Sequence, residues 1–471
     1  MEHTASPPAL RLDAPREAVL ERATQLVLDA WRGFDRPRPG QPPIDERLRA
    51  LLATALPAGP TRVLEALEDA AVALDQSLAQ TRPRFFAYIG ESALEIAVVA
   101  DLVAATYGVN LAAWAGAASE VEAQACRWVG ELVGFPAGAG SFTSGGTISN
   151  LTALAAARER ALPGSRRDGV AAGTAAVYCS AEAHYSVTRA CELLGLGSAA
   201  VRRLPIDGDR RVVPEAVASA IDADRARGVV PVAVVGTGGT TLTGAVDPIA
   251  ALADVCAERG VWLHVDGAYG LPAAACPEAA PLFAGVERAD SVSLDAHKWL
   301  AMPKACAVVL VRRPDDLRRA FAHDEDYMPE DRQPTVGVDM TVEYSRPFRA
   351  LKLWLAFRVH GAEAFREAIG RNLAQARLLF EEVEARSELE ALCGPPQLSI
   401  VPFRHRGAPA GSLDEHNARL ALRLQEDGRV WVAAATVDGR TCLRPCIVNF
   451  RTSDDDVCAL VELACELGGR A

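Results

Sequence analysis

Residues 232–270 read VAVVGTGGTTLTGAVDPIAALADVCAERGVWLHVDGAYG, and two short apolar runs in this stretch flank a helical pattern. The runs at 232–236 and 261–265 are of the type found in strands that are buried on both faces of a sheet. Between them, PIAALADVCAERG (248–260) spaces its apolar residues as a helix does. This order predicts two parallel strands joined by a helical crossover.

The same alternation continues on both sides of this stretch. Strand-like runs occur at AAVYC (175–179), SVSL (291–294) and CAVVLV (306–311), with helical patterns such as NLTALAAARERAL (150–162) between them. Strands separated by helices predict an α/β domain over residues 82–370, with a largely parallel sheet covered on both faces.

The two ends of the chain show sequence patterns that differ from that of the central region. Helix-like runs with Pro- and Gly-rich breaks predict a helical N-terminal arm over residues 1–81. Residues 371–471 mix strand-like runs such as VWVAAATV with helical ones, which predicts a small α+β domain. The segment 322–337, AHDEDYMPEDRQPTVG, places charge, proline and glycine between regular regions, and we expect it to be a mobile loop.

The composition limits the kinds of partner. Half of the 471 residues are hydrophobic, and the formal net charge of -12 leaves no basic field for a nucleic acid or a membrane surface, so we expect a small-molecule substrate. The N-terminus has no secretory signal pattern, and Glu95, Asp101 and Asn110 interrupt the apolar stretch 94–114, so we expect a cytoplasmic protein without a membrane span. The 11 cysteines lack zinc-site spacing, and we interpret them as reduced core thiols with no metal.

Lysine is scarce in this chain, which narrows the search for Schiff-base chemistry. The three lysines are Lys298, Lys304 and Lys352; Lys298 follows the strand-like run SVSL in SVSLDAHKWL, whereas Lys304 comes after MP and Lys352 lies on a helix-like run. An amine at a strand end can attack a carbonyl carbon. A solvated surface charge is the alternative interpretation.

A glycine pair opens the helical run in GSFTSGGTISNLTAL. Gly145 and Gly146 allow close approach to the backbone, and Thr147 and Ser149 add hydroxyl groups. Free N–H groups at a helix start, with the positive end of the helix dipole, favour a phosphate. A simple helix cap is the alternative interpretation.

Two further polar residues follow predicted strands. Asp266 ends VWLHVD, where a carboxylate can pair with the protonated nitrogen of a pyridine ring. His184 follows AAVYC and can stack on a flat ring or contact a substrate carboxylate. A turn-forming aspartate and a hydrogen-bonded core histidine are the alternatives.

A dinucleotide fingerprint is the main competing motif. Gly236 and Gly238 could be its first two glycines, but Thr241 takes the third position. The next helix begins only near Pro248, too late for a fingerprint that must open a helix. The sequence therefore disfavours a nicotinamide enzyme.

Taken in order, SGGTISN, AEAHYS, GTGGTTLTGAVDPI, HVDGAYG and LDAHKW resemble the group II decarboxylases that depend on pyridoxal 5'-phosphate (PLP). That family includes aromatic-L-amino-acid, glutamate and cysteine-sulfinate decarboxylases. The similarity runs from about residue 82 to the C-terminus. It implies fold type I, as in aspartate aminotransferase, and a homodimer with the active site at the subunit interface. It also implies PLP as cofactor and an L-amino acid that is converted to an amine and carbon dioxide.

The resemblance also implies roles for individual residues. Lys298 would form the Schiff base, Asp266 would pair with the pyridine nitrogen, and His184 would stack on the ring. The remaining cofactor contacts would come from Gly145, Gly146, Thr147 and His297 at the phosphate, Thr240 near the phenolic oxygen, and Ala268 on the ring face away from the histidine.

Tyr327, in the segment 322–337, matches the family tyrosine that protonates the substrate's α-carbon after carbon dioxide leaves. Relatives that make aldehydes typically have phenylalanine there, so the hydroxyl favours plain decarboxylation. An exposed tyrosine in a charged loop is the alternative. The chain departs from the aromatic branch at Asp295 and Ala296, where that branch usually has Asn-Pro, and this leaves the phosphate contact of Asp295 open.

Substrate signals point in two directions. GGTISN and HYS look more like the glutamate and cysteine-sulfinate branch, and FFAYIG looks more like the aromatic branch. The residues expected to make an apolar pocket for an aromatic side chain are Phe86, Tyr88, Ile89 and Trp114. Arg444 matches a position that binds substrate carboxylate in the glutamate branch, and a structural salt bridge is its alternative.

Several functions stay open at this point. The favoured one is decarboxylation of an aromatic or other apolar L-amino acid. The alternatives in the same class are decarboxylation of an acidic amino acid or of diaminobutyrate. In other classes they are aldehyde synthesis, transamination, or a homologue that binds without catalysis, which the intact set of Lys298, Asp266, His184 and Tyr327 disfavours.

Overall fold

The computed structural model describes residues 12–35, 43–323, 337–407 and 412–469. The helices in these ranges are α1 (Arg16–Phe34), α2 (Glu46–Leu52), α3 (Val63–Asp75), α4 (Glu95–Tyr107), α5 (Ala117–Val133), α6 (Gly146–Ala161), α7 (Ser165–Asp168), α8 (Ser186–Leu193), α9 (Pro214–Ala226), α10 (Ile249–Arg259), α11 (Pro314–Phe321), α12 (Ala350–Glu384), α13 (Leu413–Asp427) and α14 (Asp454–Gly468). The strands are β1 (Ala139–Thr143), β2 (Ala175–Ser180), β3 (Val201–Leu204), β4 (Val230–Thr237), β5 (Trp262–Asp266), β6 (Ser291–Leu294), β7 (Ala307–Val311), β8 (Leu389–Ala391), β9 (Phe403–His405), β10 (Ala434–Val437) and β11 (Arg440–Leu443).

Seven strands form the large sheet, in the order β1-β7-β6-β5-β4-β2-β3. The neighbours from β6 to β3 pair in parallel, and β7 is antiparallel to both β1 and β6. All five predicted runs are strands of this sheet, and the predicted fold class is confirmed. The reversed direction of β7 is a new observation, because CAVVLV has the same apolar character as its parallel neighbours.

Both faces of the large sheet are buried, as β2 illustrates. Its alternate residues Ala176 and Tyr178 pack into one apolar core, and Val177 and Cys179 pack into a second core on the opposite face. Side chains alternate between the faces of a strand, so a strand covered on both sides must be apolar at every position. This is why AAVYC and VAVVG are continuous apolar runs instead of alternating ones.

One edge of the large sheet carries the chain segments that matter for function. The parallel strands β2, β4, β5 and β6 all end at this edge, because parallel strands point the same way. The segments that follow them contain His184, the turn at 236–241, Asp266 and Lys298. β1 runs in the same direction and leads at this edge into the first turn of α6.

The small sheet is antiparallel, in the order β10-β11-β9-β8. The apolar core around it draws on α13, α14 and the second half of α12, and it also contains Phe86. α12 is broken at Gly361, whose φ of 71° interrupts the helix. The predicted boundary after residue 370 lies inside α12, and β8 to β11 follow it.

The N-terminal helices make few contacts with the rest of the described chain. α1 packs against α3, where Arg22 is paired with Glu68, and neither helix has a buried residue. Across the described residues, no helix is both long and apolar enough to cross a membrane. The same ranges contain no group of three or more His, Cys, Asp or Glu side chains placed to hold a metal ion.

Candidate active site

A cavity of about 300 Å³ lies at the carboxyl edge of the large sheet. Its walls are the first turn of α6 and the segments that follow β2, β4, β5 and β6. It brings together eight of the residues predicted from the sequence, namely Gly145, Gly146, Thr147, His184, Asp266, Ala268, His297 and Lys298.

Lys298 lies in the turn after β6, and its amine faces the cavity. The Nζ atom is 2.9 Å from Oδ2 of Asp295, a buried carboxylate in the same turn. Lys352 is held elsewhere, with its Nζ 2.7 Å from Asp101. Lys304 also lines the cavity, but its side chain is half exposed and contacts Gln80. Of the two lysines that line the cavity, Lys298 is therefore the one whose amine is paired with a buried carboxylate.

Asp266 ends β5, and each oxygen of its carboxylate has a hydrogen-bond donor close to it. Oδ2 accepts a hydrogen bond from Asn150 Nδ2 at 2.8 Å. Oδ1 accepts from the Ala268 N–H at 3.2 Å and lies 3.3 Å from the Ser293 hydroxyl. Donors on both oxygens match a carboxylate that can accept a further hydrogen bond from a cationic ring nitrogen.

The two cavity histidines are held by local hydrogen bonds. His184 Nδ1 lies 2.9 Å from the Ser186 hydroxyl, and His297 Nδ1 donates to the Cys306 carbonyl at 2.8 Å. Burial is the main cause that lowers the pKa of His184 and the pKa of His297 below the usual value for histidine. The lowered pKa favours the neutral form of both rings.

The glycine pair at the start of α6 leaves room that a side chain would fill. A Cβ atom on Gly146 would lie 3.0 Å from the Ala268 Cβ and 3.1 Å from both Asp295 carboxylate oxygens. The helix start offers free N–H groups to an anion in this space. The Ser149 hydroxyl is not part of this cradle, because it is bonded to the Thr143 hydroxyl at 2.7 Å.

These residues fit PLP by the chemistry of their donors and acceptors. The site combines a cradle for a phosphate, a carboxylate for a pyridine nitrogen and an amine for an aldehyde. One feature opposes the fit, because Asp295 places a second carboxylate beside the cradle. Its Oδ1 atom is buried and has no hydrogen-bond partner among the described residues.

Thr240 lies in the turn after β4 but outside the lining of the cavity. Its hydroxyl bonds to the Thr243 hydroxyl at 3.0 Å and accepts from the Ala245 N–H at 3.2 Å. Thr237, the last residue of β4, and Thr241, in the same turn, line the cavity instead. The turn is anchored by the buried Asp247, which accepts from the Thr237 N–H at 2.7 Å. Burial raises the pKa of Asp247 to about 6.

The four residues predicted for an apolar substrate pocket do not line this cavity. Phe86 is buried in the core of the small sheet, and Ile89 packs against the main core. Tyr88 and Trp114 are 56% and 43% exposed. The role of these four residues in a substrate pocket therefore stays a prediction. The role of Tyr327 also stays a prediction, because this residue lies outside the described residues.

Arg444 is buried, and its guanidinium is engaged by the backbone. Nη1 donates to the Tyr88 carbonyl at 2.5 Å, Nε donates to the Leu242 carbonyl at 3.4 Å, and Nη2 donates to the Thr241 carbonyl. These bonds join β11 to two loops near the cavity. The structure thus places Arg444 as a support for the loop that carries Tyr88.

Sequence reasoning missed Asn150, His264 and Ser293, which contact Asp266 or each other. Their spacing from residues that the sequence analysis had already selected could have revealed them. Asn150 lies four residues after Gly146 on α6, so both share one helix face. His264 precedes Asp266 by two residues on β5, and Ser293 pairs with Asp266 in the sheet register.

Comparisons with known proteins agree with this geometry. The profile of the pyridoxal-dependent decarboxylase conserved domain matches residues 45–406. The aromatic-L-amino-acid decarboxylase of Bacillus atrophaeus is 35% identical over 80% of this chain and 79% of its own length. The L-2,4-diaminobutyrate decarboxylase of Rhizobium meliloti (strain 1021) is 33% identical over 82% and 78%. The crystal structure of Oryza sativa TDC with PLP and tryptamine covers 99% of both chains at 29% identity and a TM-score of 0.90.

The sheet, the cavity at its carboxyl edge and these comparisons define a fold type I enzyme that works with PLP. The chain belongs to the pyridoxal-dependent decarboxylase family, and it is a PLP-dependent carboxy-lyase that acts on an amino acid. The predicted family, enzyme class and cofactor are confirmed.

Proposed function

We propose that this enzyme decarboxylates an aromatic or other apolar L-amino acid to the amine and carbon dioxide. The observation that carries the substrate assignment is the position of Arg444. Three of the five N–H groups of its guanidinium donate to backbone carbonyls, so the protein already engages this charge, which makes it less suited to bind the carboxylate of an acidic side chain. The relatives named for aromatic amino acids support the same substrate class.

The residues that would hold PLP are those gathered in the cavity. Lys298 supplies the amine, Asp266 the partner of the pyridine nitrogen, and His184 the flat ring beside the cofactor. Gly145, Gly146, Thr147 and His297 would hold the phosphate. When bound, PLP accepts the electron pair that remains on the substrate after the carboxylate bond breaks.

The protein's own groups carry out the remaining tasks. The Asp266 carboxylate would accept a hydrogen bond from the protonated ring nitrogen, and its negative charge would keep that nitrogen protonated. Asp295 lies 2.9 Å from the Lys298 amine and can take up a proton when the amine becomes a nucleophile. Tyr327 is our candidate for the group that protonates the α-carbon, on the strength of its position in the family pattern.

We further propose a homodimer in a reducing compartment such as the cytoplasm. α4 exposes an apolar face with Val99, Leu102, Val103 and Tyr107, and such a face on a folded chain is typical of an interface. The sparsely attached arm of α1 and α3 supports the same assembly. All 11 cysteines are free thiols, which fits a reducing compartment.

Carbon dioxide release from a panel of L-amino acids tests the substrate class. The panel contains phenylalanine, tyrosine and tryptophan beside glutamate, aspartate, cysteine sulfinate and 2,4-diaminobutyrate. We expect release from the aromatic members, with amine as the organic product, and no release by the Lys298→Ala variant. Release from an acidic or diamino member alone would overturn the substrate class, and an aldehyde product would overturn the assignment of plain decarboxylation.

A further inference from the structure

A chain of hydrogen bonds runs from the Trp262 indole in the interior to His184 in the wall of the cavity, through Ser291, His264, Asn150 and Ser186. We propose that Asn150, oriented by its neighbours in this chain, is a positioning residue. It leaves the proton of the neutral His184 ring on Nε2 and holds Asp266 as a hydrogen-bond acceptor facing the cofactor. The inference rests on the proposed roles of His184 and Asp266, and it assigns the device that sets their hydrogen-bonding state.

The Trp262 end of the chain allows His264 to accept a hydrogen bond at Nδ1. The Trp262 indole N–H can only donate, and it donates to the Ser291 hydroxyl oxygen at 2.9 Å. The Ser291 hydroxyl can then donate its own proton to His264 Nδ1, which is 2.8 Å away. His264 is wholly buried, and burial lowers its pKa to about 4, so the ring carries one proton. Because a hydroxyl oxygen can accept two hydrogen bonds, the nitrogen that carries this proton is fixed at the other end of the chain, by Asp266.

Asp266 sets the orientation of Asn150 independently. A carboxylate accepts hydrogen bonds, so the amide group that lies 2.8 Å from Asp266 Oδ2 must be the NH₂ end of Asn150. The carbonyl end then faces His264 Nε2 at 3.0 Å and the Ser293 hydroxyl at 2.8 Å, and both can donate to it. His264 Nε2 therefore carries the ring proton, and His264 Nδ1 accepts from the Ser291 hydroxyl, as the Trp262 end of the chain allows.

The second proton of the Asn150 amide completes the chain. It is donated to the Ser186 hydroxyl oxygen at 2.9 Å, which leaves the Ser186 hydroxyl proton available to His184 Nδ1, also at 2.9 Å. The Ser186 backbone N–H points to the same nitrogen at 3.3 Å. Two donors at Nδ1 leave the proton of a neutral His184 on Nε2.

This arrangement has a consequence for the reaction. Asn150 is nearly inaccessible to solvent, with 1% of its surface exposed, so both of its amide protons must find partners inside the protein. It donates one hydrogen bond to Asp266, the proposed partner of the pyridine nitrogen, and the other to Ser186, which supports His184. A single side chain thereby couples the two groups on which the cofactor would rest.

The wild-type protein tests the inference without any substitution. Nitrogen NMR of the eight histidines, with the His184 signals identified by their loss in His184→Gln, reports which ring nitrogen is protonated. We expect a protonated Nε2 and an unprotonated Nδ1, both before and after PLP is added. A proton on Nδ1 in the wild type would overturn the inference.

Substitution of Asn150 tests its positioning role. In Asn150→Ala we expect a mixture of His184 tautomers and a PLP dissociation constant raised about 10-fold, because a charge-assisted hydrogen bond to Asp266 is lost. Asn150→Asp keeps the shape but replaces the donor by an acceptor, and we expect an even weaker affinity. Thr152→Val, another buried polar side chain on α6 whose hydroxyl donates to the Ile148 carbonyl, is the matched control and should change neither readout.

The outcomes separate this inference from the proposed function. A wild-type tautomer and PLP affinity that persist in Asn150→Ala would overturn the role of Asn150 and leave the decarboxylase assignment intact. A wild-type protein that binds no PLP would overturn the proposed site, and the tautomer measured without cofactor would still test the hydrogen-bond chain.

Discussion

The back wall of the cavity and the predicted substrate pocket differ in how far a single chain builds them. In the back wall, Asn150 and Asp266 line the cavity and are backed by His264 and Ser293; all four residues are buried and are joined by hydrogen bonds. Tyr88 and Trp114, predicted for the substrate pocket, lie outside the lining of the cavity and are exposed in the single chain. Buried polar groups must be paired, so the back wall has one arrangement, whereas exposed side chains take their surroundings from whatever covers them. We therefore expect the back wall to set the reaction type and to leave the choice of substrate to residues outside it.

The largest effect should come from the back wall itself. Asp266→Asn replaces the anion that holds a pyridine proton by a neutral amide, and we expect kcat to fall about 10³-fold, the scale of losing a preorganised charge in an active site. Carbon dioxide release at saturating substrate and PLP measures it. Asp295→Asn leaves an acceptor beside the Lys298 amine and should cost less than about 10-fold, the scale of one weakened hydrogen bond. Equal losses in the two variants would remove the distinction between these carboxylates.

The glycine cradle provides the next largest effect. In Gly146→Ala the new Cβ would lie 3.0 Å from the Ala268 Cβ and 3.1 Å from the Asp295 oxygens, in the space proposed for the phosphate. We expect the PLP dissociation constant to rise about 10-fold, equivalent to about 1.4 kcal/mol. Titration of the protein with PLP, followed by absorbance, measures this constant. Gly208→Ala, which adds a Cβ with no atom within 4 Å, is the control, and a phosphate site elsewhere would leave both variants like the wild type.

A smaller effect is expected at Arg444, which supports the loop that carries Tyr88. Arg444→Met removes a charged donor from three backbone carbonyls, and we expect the free energy of unfolding to fall by about 2 kcal/mol. Urea denaturation of the protein measures this change. The preference among substrates should persist, with kcat/KM lowered for all of them alike. Unchanged stability together with a selective loss of activity on acidic amino acids would instead identify Arg444 as a substrate ligand.

The smallest effect is a pH dependence of stability in the back wall and its neighbours. Burial lowers the pKa of His184, His264 and His297 in the folded chain, so below about pH 6.5 the unfolded chain binds more protons than the folded one. These histidines therefore favour the folded state above pH 6.5, and this contribution is lost as the pH falls. We expect Tm to decrease between pH 7 and pH 5, and His264→Phe should show a shallower decrease. A parallel decrease in both proteins would contradict the assignment to His264.

The sequence was most informative where burial and strand direction dictate the pattern. Continuous apolar runs predicted the sheet, and the polar residues that follow these runs, Asp266, His184 and Lys298, come together in the cavity. The direction of β7 could not be predicted, because a buried strand is equally apolar whichever way it runs.

Side-chain partners were harder to predict than positions. Asn150 and His264 meet through packing between α6 and β5, a contact between elements that lie far apart in the chain. Arg444 was open to two interpretations because a guanidinium serves a carboxylate or backbone carbonyls equally well. Phe86 and Ile89 are apolar as a pocket would require, but the same character suits the cores in which they lie.

The most direct test of the central claim is the visible absorbance spectrum of the purified protein with PLP. Lys298→Ala is compared with Lys304→Ala, since both lysines line the cavity and only Lys298 is paired with Asp295. We predict a Schiff-base band in the wild type and in Lys304→Ala, and its loss in Lys298→Ala. A band that survives in Lys298→Ala, or that is lost in Lys304→Ala alone, would contradict the assignment of the cofactor lysine.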